Sequence, residues 1–223
     1  MERAAKWFEF KECVIVPKST GKKAKNLKEL RTLLGRVSDE SIAHHTYQYF
    51  LSGRVLEYTN AFALWAGESL GEKGLSEHLS NIDPYSFSKI EALRHELLKA
   101  IDSRLSVLPR PRDAMAGDEF FFSESLTLTF PVRIRARNLA EFLMAVRYVD
   151  RSCIYYHFYE ARRRLGGGAD DFSKWFSASL GQEALAEKIG SIDPFMHTLD
   201  GIREHIAVAV EDEVRKAMEE LSS

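Results

Sequence analysis

The chain has only two cysteines, Cys13 and Cys153, in 223 residues. Neither belongs to a C-x-x-C pair, which removes a disulfide framework and a cysteine-based metal knuckle; both read as reduced thiols of a cytoplasmic protein. Long apolar runs are missing as well. No stretch reaches the roughly 18 apolar residues a membrane helix needs. The opening M-E-R-A-A-K-W places charges where a signal peptide requires its apolar core, so a soluble intracellular protein without membrane contact is expected. An excess of one charge is also absent: the net charge is −2, and nothing global draws the chain to nucleic acid.

Catalytic motifs are lacking too. Ser19-Thr20-Gly21-Lys22-Lys23 resembles a phosphate loop but has no preceding glycine, and Lys23 stands where Ser or Thr must hold magnesium. His95-Glu96-Leu97-Leu98-Lys99 has lysine where a zinc-protease helix needs its second histidine. Gly166-Gly167-Gly168 is followed by Asp170 and Asp171 and reads as a flexible turn.

What the chain does contain is an internal repeat. Asn26-Leu27-Lys28-Glu29 lies over Asn138-Leu139-Ala140-Glu141, and Ile42…His45 over Ile154…His157, both at a spacing of 112. With two residues lost in the loop, Phe62…Trp65 falls on Phe172…Trp175, Leu70-Gly71 on Leu180-Gly181, and Ile82-Asp83-Pro84 on Ile192-Asp193-Pro194. Two units of this length are too few for a solenoid. They suggest a fused pseudo-dimer with a pseudo-two-fold and an isologous interface. Residues 1–112 carry 18 Lys/Arg against 14 Asp/Glu and the remainder 13 against 19, so opposite charges would weakly favour docking of the halves.

Each half opens with a strand pattern, Trp7 to Pro17 and Phe120 to Arg135, in which apolar and polar residues alternate. Asn26 and Asn138, each with Glu three residues on, mark a capping box and a first helix that buries Leu27, Leu30, Leu33 and Leu34, or Leu139, Phe142, Ala145 and Val146. Ser38 and Asp150 cap a second helix. A third starts near Asn60 or Asp170 and ends at Gly71 or Gly181, where a left-handed cap favours glycine. A short fourth helix, an Asp-Pro start and a long amphipathic helix, about Ser88 to Leu105 or Leu199 to Leu221, complete each half. The expected fold is α+β and predominantly α-helical, in two tandem homologous repeats of one strand plus about five helices each. Residues 1–108 and 118–223 form the two modules, joined by the linker 109–117.

His45 and His157 hold equivalent places on an apolar helix face, with Glu160 one turn beyond His157. Brought together across the pseudo-two-fold they could ligate a metal or shuttle a proton. Glu160 is Gln48 in the first half, however, and a buried, hydrogen-bonded structural histidine is the preferred reading. Tyr155 and Tyr156, with His44, Tyr47 and Tyr49 in the first half, suit an interface, most simply one between the repeats. Lys23, Lys25, Arg135 and Arg137 place two basic residues ahead of each first helix. They would suit an anion, or guard a strand edge against pairing, which is the preferred reading.

The segments I-Y-Y-H at 154–157, D-F-S-K-W at 171–175, L-G-Q-E-A-L-A-E at 180–187 and I-D-P at 192–194 resemble an uncharacterised bacterial and archaeal family of duplicated helical modules, a domain of unknown function sometimes attached to sugar-transferring enzymes. The resemblance spans most of the second half; in the first, His44 replaces a tyrosine and Ala61 an acid. It implies an accessory or interaction module more than a stand-alone catalyst. A non-enzymatic binding or regulatory role without a cofactor is therefore expected, with another protein or a small ligand as partner, or self-association. The alternative is a small metal- or ligand-binding enzyme using His45, His157, Glu160 and Tyr156 between the repeats.

Overall fold

Side chains that reach back to the backbone fix where the helices begin. In this computed structural model, which describes residues 4–48, 58–108, 110–165 and 169–222, Asn26 Oδ1 accepts from Glu29 N at 3.0 Å and Glu29 Oε2 accepts from Lys25 N at 3.0 Å. This closed capping box starts α1 (Leu27–Leu34). Asn138 and Glu141 do the same for α6 (Leu139–Tyr148), at 2.9 and 2.8 Å. Ser38 caps α2 (Asp39–Thr46) and Asp150 caps α7 (Arg151–Ile154). Asn60 caps α3 (Ala61–Glu68) and Asp170 caps α9 (Asp171–Leu180).

Gly71 and Gly181 follow with φ of 70° and 64°, the left-handed conformation in which a β-carbon is disfavoured. Then come α4 (Lys73–Ser80) and α10 (Glu183–Gly190). The carboxylates of Asp83 and Asp193 cap the next turns by accepting from Tyr85 N and Phe195 N, and α5 (Ile90–Val107) and α11 (Leu199–Ser222) close the two series. Between α7 and α8 (Ala161–Leu165) the helix widens into a π segment, Tyr155–Glu160.

Strands β1 (Phe8–Ala24) and β2 (Phe120–Ala136) form a two-stranded sheet. Side-chain contacts from β1 to β2 link residue 9 to 135, 18 to 124 and 20 to 122, and Lys23 reaches Glu119 just ahead of β2. As one number rises the other falls, so the strands are antiparallel. β1 is longer than its apolar alternation indicates: it runs past Pro17 and takes in Ser19 to Lys23, which proline tolerates at a sheet edge. Gly21 and Arg133 have φ of 69° and 61°. Glycine adopts this region freely, whereas an arginine there costs about 1–2 kcal/mol.

The chain divides into two compact units, one of Ile15–Leu126 and one of Met1–Val14 with Thr127–Ser223. Each therefore takes part of both strands. In the first unit Leu27, Leu30, Leu34, Ile42, Phe62, Leu93, Leu97 and Ile101 form the core, and β2 brings Phe120 and Phe122 into it. Phe120 stacks on Phe62 with ring centroids 5.0 Å apart, and Trp65 Nε1 donates to Asp118 O at 2.6 Å. Leu33, expected in the core, is half-buried. Arg94 Nη1 donates to Leu34 O and Val37 O, satisfying carbonyls that the end of α1 leaves open.

In the second unit the strand contribution comes from the start of the chain. Phe8 and Phe10 pack among Phe142, Phe172 and Trp175, and Trp175 Nε1 donates to Lys6 O at 2.7 Å. Ile202, Ile206 and Val210 on α11 are fully covered, with α11 lying along α6. Burying two phenylalanines contributes roughly 3–6 kcal/mol, so this segment is part of the core of a unit whose helices begin more than a hundred residues later. No helix among the described residues is long and apolar enough to cross a membrane.

Candidate functional site

The two histidines singled out by the repeat belong one to each unit. His45 is 7 % exposed on α2, and its Nε2 accepts the backbone N–H of Ser123 in β2 at 3.0 Å. Its ring lies against Phe62 and Phe120. Accepting at Nε2 leaves the proton of the neutral ring on Nδ1. Burial, and then the neighbouring His44, push the His45 pKa down to about 3, because a charged ring there would lose its hydration.

His157 is 3 % exposed in the π segment, and its Nε2 accepts the backbone N–H of Lys11 in β1 at 2.9 Å. Its Nδ1 is 2.8 Å from Asp171 Oδ2, which also accepts from Arg164 Nη2 at 2.8 Å. Burial lowers the His157 pKa, opposed by the Asp171 carboxylate. Asp171 itself is held below its ordinary value by His157 and Arg164, against the opposite pull of its burial. Both nitrogens of His157 are therefore engaged, one by a backbone donor and one by a carboxylate that fixes the tautomer.

The π segment accounts for the remaining residues. The N–H of Ala161 reaches Tyr156 O, five residues back, and such wide turns recur at functional positions. Glu160 is 5 % exposed; one carboxylate oxygen is bonded by Arg163, and Oε2 is buried with no hydrogen-bond partner among the described residues. Tyr156 is half-buried with the Arg164 guanidinium 5.2 Å from its ring centre. Tyr156, His157, Arg164 and Asp171 thus form one connected cluster. Gln48, in the corresponding place on the first unit, is buried beside His44, whose Nδ1 is 2.6 Å from Ser125 Oγ. Tyr47 and Tyr159 direct their hydroxyls to Pro84 O and Pro194 O. Tyr155 stacks on Tyr159 inside the second unit. Tyr49 and Gly166 to Gly168 lie outside the described residues.

Asp171 and Arg164 were not named as site candidates from the sequence; Asp171 is the acid that Ala61 replaces in the first half, so the Asp-His contact is confined to the second. Among the described residues no three His, Cys, Asp or Glu side chains cluster in a way that could hold a metal. The basic quartet is engaged locally. Lys23 pairs with Glu119 at 3.0 Å, Lys25 with Asp113 at 3.5 Å and Arg135 with Glu9 at 2.9 Å, while the Arg137 guanidinium lies 3.9 Å from the Trp7 ring centre. The N–H groups of Glu29 and Glu141 in the adjacent first turns are already bonded to the capping asparagines.

The profile of the family of unknown function DUF5752 matches residues 5–211. Among solved structures, OrfY from Thermoproteus tenax superposes with a TM-score of 0.80 at 30% identity, covering 95% of this chain and 97% of that one. No curated protein matches the chain.

Proposed function

The chain belongs to the DUF5752 family, whose function is unknown, and we propose that it serves as a non-enzymatic binding or accessory module built from two repeated helical units. The observation that carries this reading is the use of the two histidines. Each places its Nε2 lone pair on a strand N–H, Ser123 or Lys11, and each is kept neutral by burial. A catalytic base or metal ligand needs that lone pair free. Here it holds a strand onto a helix.

The repeat reading has local support of its own. Asn26 and Asn138 share φ of −148° and ψ of 172°. The histidines and the N–H groups they accept are both spaced by 112, as are Gly21 and Arg133 with their positive φ. We take this as duplication with a pseudo-two-fold arrangement, in which residues 1–108 and 118–223 are the sequence modules and each lends the start of its strand to the other's helices. A cytoplasmic location, and attachment of relatives to sugar-transferring enzymes, belong to the same proposal.

Elemental analysis of the purified protein, beside His45→Ala and His157→Ala, tests the reading. The expected result is no stoichiometric transition metal in wild type. A metal bound one to one, and lost in either variant, would overturn the accessory role and restore the alternative of a metal-dependent enzyme.

A further inference from the structure

Arg133 is an exposed arginine on β2 with φ of 61°. Gly21, at the same local conformation on β1, has no atom within 4 Å of where a β-carbon would stand; it needs only the freedom glycine provides. At position 133 the chain instead holds a long cationic side chain in a backbone conformation that penalises it. Such outliers concentrate at ligand sites, where the side chain is needed for something other than folding.

Its surroundings indicate what that is. Arg133, Arg135, Glu9, Phe10, Pro131 and Ile134 line an open groove of about 420 Å³ within the second unit, a size in the range of small-molecule sites. Arg135 is neutralised by Glu9 at 2.9 Å. Arg133 has no ion pair and no side-chain hydrogen bond among the described residues, leaving one uncompensated positive charge at the groove. Pro131 and Ile134 supply apolar wall, and Ile134 is 40% exposed.

We infer that this groove binds a small organic anion, one carboxylate or phosphate group on an apolar body, with the Arg133 guanidinium as the charged contact. Arginine presents a planar fork that matches either oxyanion in a two-point bond. A neutral ligand would leave the guanidinium unused, and a purely inorganic anion would leave the Pro131 and Ile134 surface unfilled. The groove lining includes none of Tyr156, His157, Arg164 or Asp171, so the assignment stands whatever role that cluster has.

The test is a titration of the ¹⁵N-labelled full chain with phenylacetate, phenyl phosphate and, as neutral control, benzyl alcohol, following amide shifts. Saturable shifts centred on residues 9–10 and 133–135 are expected with one or both anions and none with the alcohol; which anion saturates at lower concentration identifies the group. Arg133→Gly is the decisive variant, because glycine keeps the backbone conformation while removing the guanidinium. It should remain folded by thermal melt and bind at least about tenfold more weakly. Equal binding in Arg133→Gly, equal binding of benzyl alcohol, or no saturable shift with either anion up to about 10 mM would overturn the assignment.

Discussion

The imidazole of His157 accepts the backbone N–H of Lys11 at 2.9 Å, joining residues 146 apart in the chain. Lys11 lies immediately after Phe10, which is 1% exposed, so the bond fixes the register of the strand that fills the second unit's core. His45 and Ser123 do the same for the first unit at 3.0 Å. Removing either ring leaves a part-buried N–H without its acceptor and a void beside phenylalanine rings.

His157→Ala and His45→Ala should therefore each destabilise the protein by about 1–3 kcal/mol. His157→Ala should lie higher in that range, since it also removes one of the two partners of Asp171, leaving Arg164. Urea denaturation of wild type and both variants without added ligand measures this. Curves that nearly coincide would show the rings to be dispensable for folding.

The same two bonds predict a pH dependence. Both folded pKa values lie below the ordinary 6.5, so the unfolded chain binds protons more readily than the folded one. The stabilisation is complete above about pH 6.5 and is lost as pH falls toward the folded values. For a single such histidine the slope approaches about 1.4 kcal/mol per pH unit. Stability should decline between pH 7 and about 5, ahead of carboxylate titration, and His45→Phe should flatten the decline. A wild-type profile flat across that interval would contradict the burial argument.

At the paired positive-φ positions, Gly21→Ala should cost about 1–2 kcal/mol from backbone strain alone, because the space around Gly21 is open. Arg133→Gly relieves strain of that size while gaining unfolded-chain entropy, so it should be neutral or slightly stabilising. Thermal melts of the two variants should move in different senses. A destabilised Arg133→Gly together with an unaffected Gly21→Ala would reject the strain account.

A fragment of residues 118–223 lacks Phe8, Phe10 and Lys11, and with them part of its unit's core. It should dimerise or aggregate, and a peptide of residues 4–14 added in trans should restore a monomeric, cooperatively melting species. Size-exclusion chromatography and thermal melts report both. An isolated half that is monomeric and undiminished in thermal stability without the peptide would show that the strand segment is not needed.

Much of the local structure was legible from the chain alone. The caps at Asn26, Ser38, Asn60, Asn138, Asp150 and Asp170, and the left-handed glycines at 71 and 181, lie where their residue types and spacing put them. Each is an interaction within three or four residues, so neighbouring sequence carries all the information. The apolar faces of α5 and α11 were readable for the same reason, through Leu93, Leu97 and Ile101 on one and Ile202, Ile206 and Val210 on the other.

What only tertiary structure decided involves partners far apart in sequence. Nothing near Phe8 indicates that its ring lies against Phe142 and Trp175, or that Lys11 donates to His157, since strand pairing depends on which surfaces remain uncovered once distant helices pack. The Asp171 to His157 contact joins the π segment to α9 across 14 residues of chain, a pairing that neither segment signals by itself. Strain at Arg133 is also silent in sequence: arginine gives no local sign that it will accept a positive φ. Sequence specified the elements, and the long-range burial of a few aromatic side chains decided how they combine.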